Sequence, residues 1–321
     1  MRQIEIETVK LPLSRPFRIA RGTRQSVDVI RVMIEENGFI GWGECTPTAH
    51  YGQSPASVSE QIRSILPQLR QGMTRQELQL HLSRGSARNV LDCALWRLEG
   101  GRRHQSLWAV TEVVQPATIC CAQTLSLASL SQMVDAAVEA INQGAQLLKI
   151  KLNDESVVEK VSAIRSVSQQ TQLIIDANES WAGLDLPALM DELAVFDITM
   201  IEQPLPAGQD NCLKHFTHPI PVCADESCHD AGDIAPLSDR YEMINIKLDK
   251  CGGLTEALAM VEIAHRYQMD VMTGCMLGSS LAMEAALPIA AQSVFVDLDG
   301  PIWLAGDSAP YLVYRNGCIE T

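Results

Sequence analysis

LLKIKL (147–152), LIIDAN (173–178), TMIEQP (199–204), PVCADES (221–227) and INIKLD (244–249) are short apolar runs that carry charge at or near their ends. From Lys151 the steps to Asp176, Glu202, Asp225 and Lys247 are 25, 26, 23 and 22 residues. One strand, one helix and two loops fill a step of that length, so the spacing predicts a (β/α) barrel. Three further strand-like runs, TICCAQT, DVMTGC and SVFVDLD, bring the total to eight, with helical stretches between them. The expected fold is therefore α/β, a modified TIM barrel of (β/α)7β type. The C-terminal ends of such strands converge on one pocket, where the charged residues are expected to meet.

Outside that rhythm the chain reads differently. Residues 1–115 read as a separate α+β unit. VDVIRVMIEENGFIGWGE holds two strand patterns joined at Glu36-Asn37-Gly38, a hairpin signal. Thr74-Arg75-Gln76-Glu77 reads as a capping box opening a helix. Residues 116–300 carry the barrel. Residues 301–321 are too few for another unit and are expected to pack back on the first.

The composition narrows the partners. A formal charge of −14 over 321 residues excludes nucleic acid and an anionic membrane surface as expected partners. No apolar run approaches the roughly 18 residues that span a bilayer. MRQIEIETVKLPLS alternates charge and has no signal-peptide core. The ten cysteines form no CxxC pair and read as buried reduced thiols, so the expected compartment is the cytoplasm.

Asp176, Glu202 and Asp225 offer hard oxygen ligands from three consecutive strands, a donor set that suits Mg²⁺. No histidine lies at a matching strand end, which disfavours zinc. Lys149 and Lys151 face the same side of their strand, because side chains alternate with a period of two. Burial beside a cation or another lysine lowers a lysine pKa, which makes Lys151 a candidate base. Lys247 lies three strands beyond Asp176 and is expected to approach the substrate from the opposite side. Two bases on opposite faces of one carbon are what racemisation or epimerisation needs. Asp297 and Asp299 share a face at the end of the last strand; they either hold an ammonium group or cap the loop at Gly300-Pro301. Arg21, with Arg18 and Arg24, forms a basic loop, read either as solvated or as an anion-binding lid.

Taken together, K-x-K in LLKIKL, the acids of LIIDANES, MIEQPLP and CADES, and the lysine of NIKLDKCGGLTEA resemble the enolase superfamily, in its muconate-lactonising-like subgroup. The resemblance spans almost the whole chain and makes the first unit a capping domain. DLDG at the last strand and GCM in TGCMLG resemble the dipeptide epimerases, particularly those acting on Ala-Glu. The chain departs at Leu277-Gly278-Ser279-Ser280, where many of these continue with an acidic residue and serine.

The resemblance implies one Mg²⁺ per subunit, held by Asp176, Glu202 and Asp225. It implies two-base 1,1-proton transfer through an enediolate, with Lys151 on the S face and Lys247 on the R face. Lys149 would stabilise the enolate oxygen and depress the pKa of Lys151. Asp297 and Asp299 would bind the dipeptide ammonium, and Thr124, Cys275 and Met276 would line the pocket. Arg21 would select a glutamate side chain. The substrate would be a small dipeptide and the role cell-wall peptide recycling; assembly into a homo-oligomer is left open.

Three other readings compete. A cycloisomerase or o-succinylbenzoate synthase shares the metal and lysines, but its substrate carries no ammonium for Asp297 and Asp299. A Schiff-base aldolase would not need the three carboxylates. A non-catalytic binding protein would not need the two bases.

Overall fold

The computed structural model describes residues 1–20 and 22–321. Three antiparallel strands open the chain: β1 (Gln3–Ile19), β2 (Gly22–Glu36) and β3 (Phe39–Cys45). Asn37 and Gly38 both have positive φ (56° and 83°), the geometry that the Glu36-Asn37-Gly38 signal predicts for a two-residue hairpin. Helices α1 (Pro55–Ser64), α2 (Leu66–Arg70), α3 (Arg75–His81), α4 (Ser86–Arg103) and α5 (Leu107–Thr111) follow. The expected capping box is present at α3, with Thr74 and Glu77 satisfying each other's backbone N–H groups.

The second sheet is parallel and has eight strands: β5 (Gln123–Leu125), β6 (Leu147–Lys151), β7 (Gln172–Asp176), β8 (Ile198–Glu202), β9 (Val222–Ala224), β10 (Met243–Ile246), β11 (Asp270–Gly274) and β12 (Phe295–Asp297). Neighbours in sequence are neighbours in the sheet throughout. Its two ends approach where Ala122 N donates to Val296 O at 2.7 Å. The connections carry α6 (Leu130–Asn142), α7 (Val157–Val167), α8 (Leu186–Ala194), α9 (Ala231–Leu237), α10 (Leu248–Cys251), α11 (Leu254–Arg266) and α12 (Ser280–Ala290). This is the expected mixed α/β fold, a (β/α)7β-type sheet beside an N-terminal antiparallel one.

Two local expectations change. TICCAQT does not run as one strand: β4 (Thr118–Cys120) joins a small antiparallel sheet with β13 (Val313–Arg315) and β14 (Cys318–Glu320). The chain crosses between sheets at Cys121, whose N–H donates to Gly317 O while the next N–H serves Val296. Of the helical stretches expected between the strands, the one between β8 and β9 is only a 3₁₀ turn, Asn211–His215. Pro219 and Pro221 lie too close downstream for a longer helix to fit before β9. The segment after Pro301 touches β1 first, with Ala305 N donating to Pro12 O at 2.9 Å, and then pairs with β4 through β14. All ten cysteines are free thiols, six of them buried; Cys120 and Cys212 are exposed.

The sheet interior shows why the site sits where it does. Ala122, Leu147, Ile174, Met200, Cys223, Met243, Met272 and Phe295 form one apolar cluster, one residue from each strand or its entry. Side chains on one face recur every second residue. Two residues onward, the same inward positions are Thr124, Lys149, Asp176, Glu202, Asp225, Asn245, Gly274 and Asp297. An apolar floor thus carries a polar layer directly above it.

The capping unit is fixed by backbone contact between β3 and α4. A Cβ on Gly43 would lie 1.9 Å from Val90 O, and one on Gly41 2.0 Å from Ala94 O. Overpacking of this kind costs about 1–3 kcal/mol, and backbone cannot swing aside as a side chain can. Gly43→Ala is therefore expected to lower the urea unfolding midpoint clearly, and an unchanged midpoint would contradict the close packing described.

Candidate active site

The polar layer is dense with opposed charges. Asp176 and Glu202 are fully buried and Asp225 is 1% exposed. Lys149 Nζ lies 3.0 Å from Asp176 Oδ2, 2.7 Å from Glu202 Oε2 and 2.7 Å from Asp297 Oδ2. Lys151, one inward position higher on β6, reaches Asp176 Oδ2 at 2.5 Å. Lys247 follows β10 and donates to Asp225 Oδ2 at 2.6 Å. In sheet order β6 and β10 are four steps apart, half of an eight-strand circuit, so Lys151 and Lys247 enter the pocket from opposite walls. Gly274 leaves the space that Lys247 uses, since a Cβ there would lie 2.9 Å from its Cε.

These partners decide the protonation states. Burial alone would lower Lys149, but the charges of Asp176, Asp297 and Glu202 outweigh it and hold the ammonium form. Burial is likewise outweighed at Lys247 by Asp225 and Glu202. At Lys149 and Lys247 the lowering that burial alone would bring is thus reversed by the carboxylates around them. Asp176 and Asp225 are held below the usual carboxylate range: burial would raise both, yet the adjacent lysines prevail. Glu202 goes the other way, pushed up to about 7 by burial and by the charge of Asp176.

Three carboxylates so placed suit a divalent cation by two observations. Their mutual repulsion shows in Glu202, and Glu202 Oε2 is a buried oxygen without hydrogen-bond geometry, although Lys149 Nζ is close. Oxygen-only donors are the set that Mg²⁺ prefers. A different donor group includes one cavity-lining residue: His50, Glu179 and Glu226 offer atoms within 4.8 Å of one another. That group is not the one the strand spacing predicts. There His50 Nε2 lies 3.3 Å from Glu179 Oε2, and Asn178 Nδ2 donates to Glu226 Oε1 at 3.4 Å.

A cavity of about 490 Å³ opens above the layer. It is lined by Thr124, Lys149, Lys151, Asp225, Lys247, Cys275, Met276, Asp297 and Asp299 from the sheet side, and the capping unit covers it with Phe17, Arg24 and residues 48–51. The structure thus gathers the residues singled out by sequence around one space, with Asp176 and Glu202 just beneath it. Arg21 lies outside the described residues; its loop neighbour Arg24 lines the cavity. Asp299 Oδ2 accepts from Thr124 N at 2.8 Å and from Trp303 Nε1 at 3.2 Å.

Sequence reasoning overlooked Asn245 and Lys250. Asn245 donates to Glu202 Oε1 at 2.8 Å, and counting two residues back from Lys247 would have placed it inward. Lys250 Nζ donates to Asp225 Oδ1 at 2.6 Å and to the carbonyls of Asp225, Cys228 and Asn245. Its position in α10 follows no strand period, so no sequence signal pointed to it. Removing one partner of a buried pair costs about 3–5 kcal/mol. Lys250→Met is expected to lower the thermal midpoint and to weaken Mg²⁺ binding in calorimetric titration. Unchanged values of both would show that Lys250 does not hold Asp225.

Residues 1–110 match the mandelate racemase / muconate lactonizing enzyme N-terminal domain, and residues 132–320 match the enolase C-terminal domain-like family. The chain is 48% identical over 317 residues to an L-Ala-D/L-Glu epimerase of Escherichia coli (strain K12), covering 99% of each. It is 41% identical over 293 residues to an N-acetyl-D-glutamate racemase of Pseudoalteromonas sp, covering 90% of this chain and 91% of that one. A solved dipeptide epimerase from Methylococcus capsulatus, complexed with Mg and L-Arg-D-Lys, is 28% identical with a TM-score of 0.89, covering 99% and 96%. The floor, the acidic layer and these matches agree: the chain belongs to the mandelate racemase / muconate lactonizing enzyme family of the enolase superfamily.

Proposed function

We propose that this protein is an isomerase, a Mg²⁺-dependent dipeptide epimerase that inverts the α-carbon of the C-terminal residue of an Ala-Glu-type dipeptide. The observation that carries the reading is the placing of Lys151 and Lys247 on opposite walls around a buried carboxylate trio. The 48% identity to an L-Ala-D/L-Glu epimerase supports it, as does a dipeptide epimerase solved with Mg. We further propose the division into a capping unit over 1–115, a barrel over 116–300 and a closing segment over 301–321. A cytoplasmic site of action accords with ten free thiols and with the lack, among the described residues, of a helix long and apolar enough to cross a membrane.

Asp176, Glu202 and Asp225 would hold the cation. Bound there, Mg²⁺ supplies positive charge against the substrate carboxylate, which offsets the charge that develops when the α-proton leaves. Lys151 Nζ takes the proton from one face and Lys247 Nζ delivers one to the other, and the reverse reaction exchanges their roles. Lys149, held by three carboxylates, contributes a fixed positive charge beneath the reacting carbon. Asp297 and Asp299 receive the substrate ammonium, and Thr124, Cys275 and Met276 line its seat. Arg24, which lines the cavity, supplies a cation for a glutamate side chain, and Arg21, the residue that the sequence singles out for that task, is the second candidate. The capping residues exclude water from the proton transfers.

A second reading rests on the N-acetyl-D-glutamate racemase at 41% identity. N-acetylglutamate has no ammonium group, whereas the cavity presents two carboxylates at the end of β12. That favours the dipeptide.

Proton NMR in D₂O tests both readings. With Mg²⁺, L-Ala-L-Glu should lose its glutamate α-proton signal and yield L-Ala-D-Glu; EDTA should stop both, and N-acetyl-L-glutamate should exchange far more slowly. Failure to exchange any dipeptide, or faster exchange of the N-acetyl compound, would overturn the reading. Lys151→Ala and Lys247→Ala should each cut epimerisation by about 10²–10⁴-fold. Lys247→Ala should still wash the α-proton out of the L-epimer, and Lys151→Ala only out of the D-epimer. Washout of both epimers by either variant would refute the one-base-per-face assignment.

A further inference from the structure

We infer that Trp303 is a positioning residue that orients Asp299 for the substrate ammonium and so sets the preference for substrates with a free amino terminus. The inference rests on the dipeptide reading above and concerns how that reading's ammonium seat is built.

The two carboxylates at the end of β12 are not equivalent. Asp297 already has a cationic partner, since Lys149 Nζ donates to its Oδ2 at 2.7 Å. Asp299 has only neutral donors among the described residues: Thr124, through its N–H and its hydroxyl, and the Trp303 indole N–H. Its negative charge is the one left for an incoming ammonium to balance. Both N–H donors hold the same oxygen, Oδ2, which fixes the plane of the carboxylate in the cavity that Asp299 lines. Burial and the Asp297 charge push Asp299 up to about 6, and the two N–H donors and the Thr124 hydroxyl work against that push.

Trp303 is itself held from the capping side. Its ring meets Phe17 edge-on with centroids 4.7 Å apart, and the Arg15 guanidinium carbon lies 4.5 Å from the ring centroid. Ser14 Oγ donates to Trp303 O at 3.1 Å, and Leu13 bridges Leu304. The indole thus joins the covering hairpin, through Phe17 in the cavity wall, to the carboxylate that reads the ammonium. An Asp at this place without its indole donor would keep its charge but lose its fixed orientation. Losing one hydrogen bond to a charged group should change affinity by roughly tenfold.

The test uses Trp303→Phe, which keeps the aromatic packing and removes only the N–H. The substrate is L-Ala-L-Glu, and the probe is N-propionyl-L-glutamate, which differs only in having hydrogen in place of the ammonium. The expected result is a KM for L-Ala-L-Glu raised about 5- to 20-fold, kcat within about twofold, and an unchanged Ki for the propionyl compound. Trp303→His, which restores a ring N–H, should recover part of the KM. An unchanged KM, or KM and Ki rising together as for a purely structural role, overturns the inference. If Trp303→Phe does not fold, ¹⁵N-indole spectra of the intact protein decide. One indole N–H signal should move with L-Ala-L-Glu and stay in place with N-propionyl-L-glutamate; no such difference overturns the inference. Wild-type protein inert toward every dipeptide would instead refute the epimerase reading, a separate and distinguishable failure.

Discussion

Four lysines and three carboxylates share one buried layer, and the rest of the molecule is arranged around keeping them there. Isolated ions in an apolar interior cost several kcal/mol each, and only close, hydrogen-bonded partners offset that cost. Here each acid has at least one lysine: Lys149 serves Asp176 and Glu202, Lys151 serves Asp176, and Lys247 and Lys250 serve Asp225. Glu202 is the least satisfied member, and its raised carboxyl records the repulsion inside the trio. The layer is therefore electrostatically poised for a cation rather than arranged for stability alone.

What keeps water out from below is the apolar floor of one residue per strand. What limits access from above is the capping unit, whose hairpin and 48–51 segment line the cavity. That unit is held together internally, because β3 lies against the backbone of α4 at Gly41 and Gly43. Past β3 the same stretch grips the barrel. Glu44 accepts from Ser279 N and Oγ at 2.7 and 2.8 Å, and Thr46 N donates to Asp249 Oδ1 at 3.0 Å. These bonds tie the capping unit to the loops that carry Met276 and Lys247. Leu277-Gly278-Ser279-Ser280, the departure noted in the sequence, is where that grip is made: Ser279 takes Glu44 and Ser280 takes Asp307.

Much of the fold and most of the candidate site could be read from sequence because both follow one periodicity. The 22–26-residue steps gave the strands, and alternation within each strand gave the inward faces. Elements without a period escaped. Lys250 sits on a one-turn helix, and its reach to Asp225 depends on how that turn follows β10. The break of TICCAQT at Cys121 depends on two hydrogen bonds to distant strands, Gly317 and Val296, which no local pattern encodes. Trp303 lies in a short 3₁₀ turn, and its bond to Asp299 appears only when the turn is folded. The charge held at Lys149 was hidden for a related reason: burial is legible from an apolar run, but the number of carboxylates facing a lysine is not.

The central claim is geometric, that one cation sits on Asp176, Glu202 and Asp225 with a lysine on either face of the reacting carbon. A crystal structure with Mg²⁺ and L-Ala-L-Glu measures it directly. The account predicts metal density bonded to those three carboxylates, and the Nζ atoms of Lys151 and Lys247 on opposite sides of the glutamate α-carbon. Metal at His50, Glu179 and Glu226 instead, or both lysines on one side of that carbon, would contradict it.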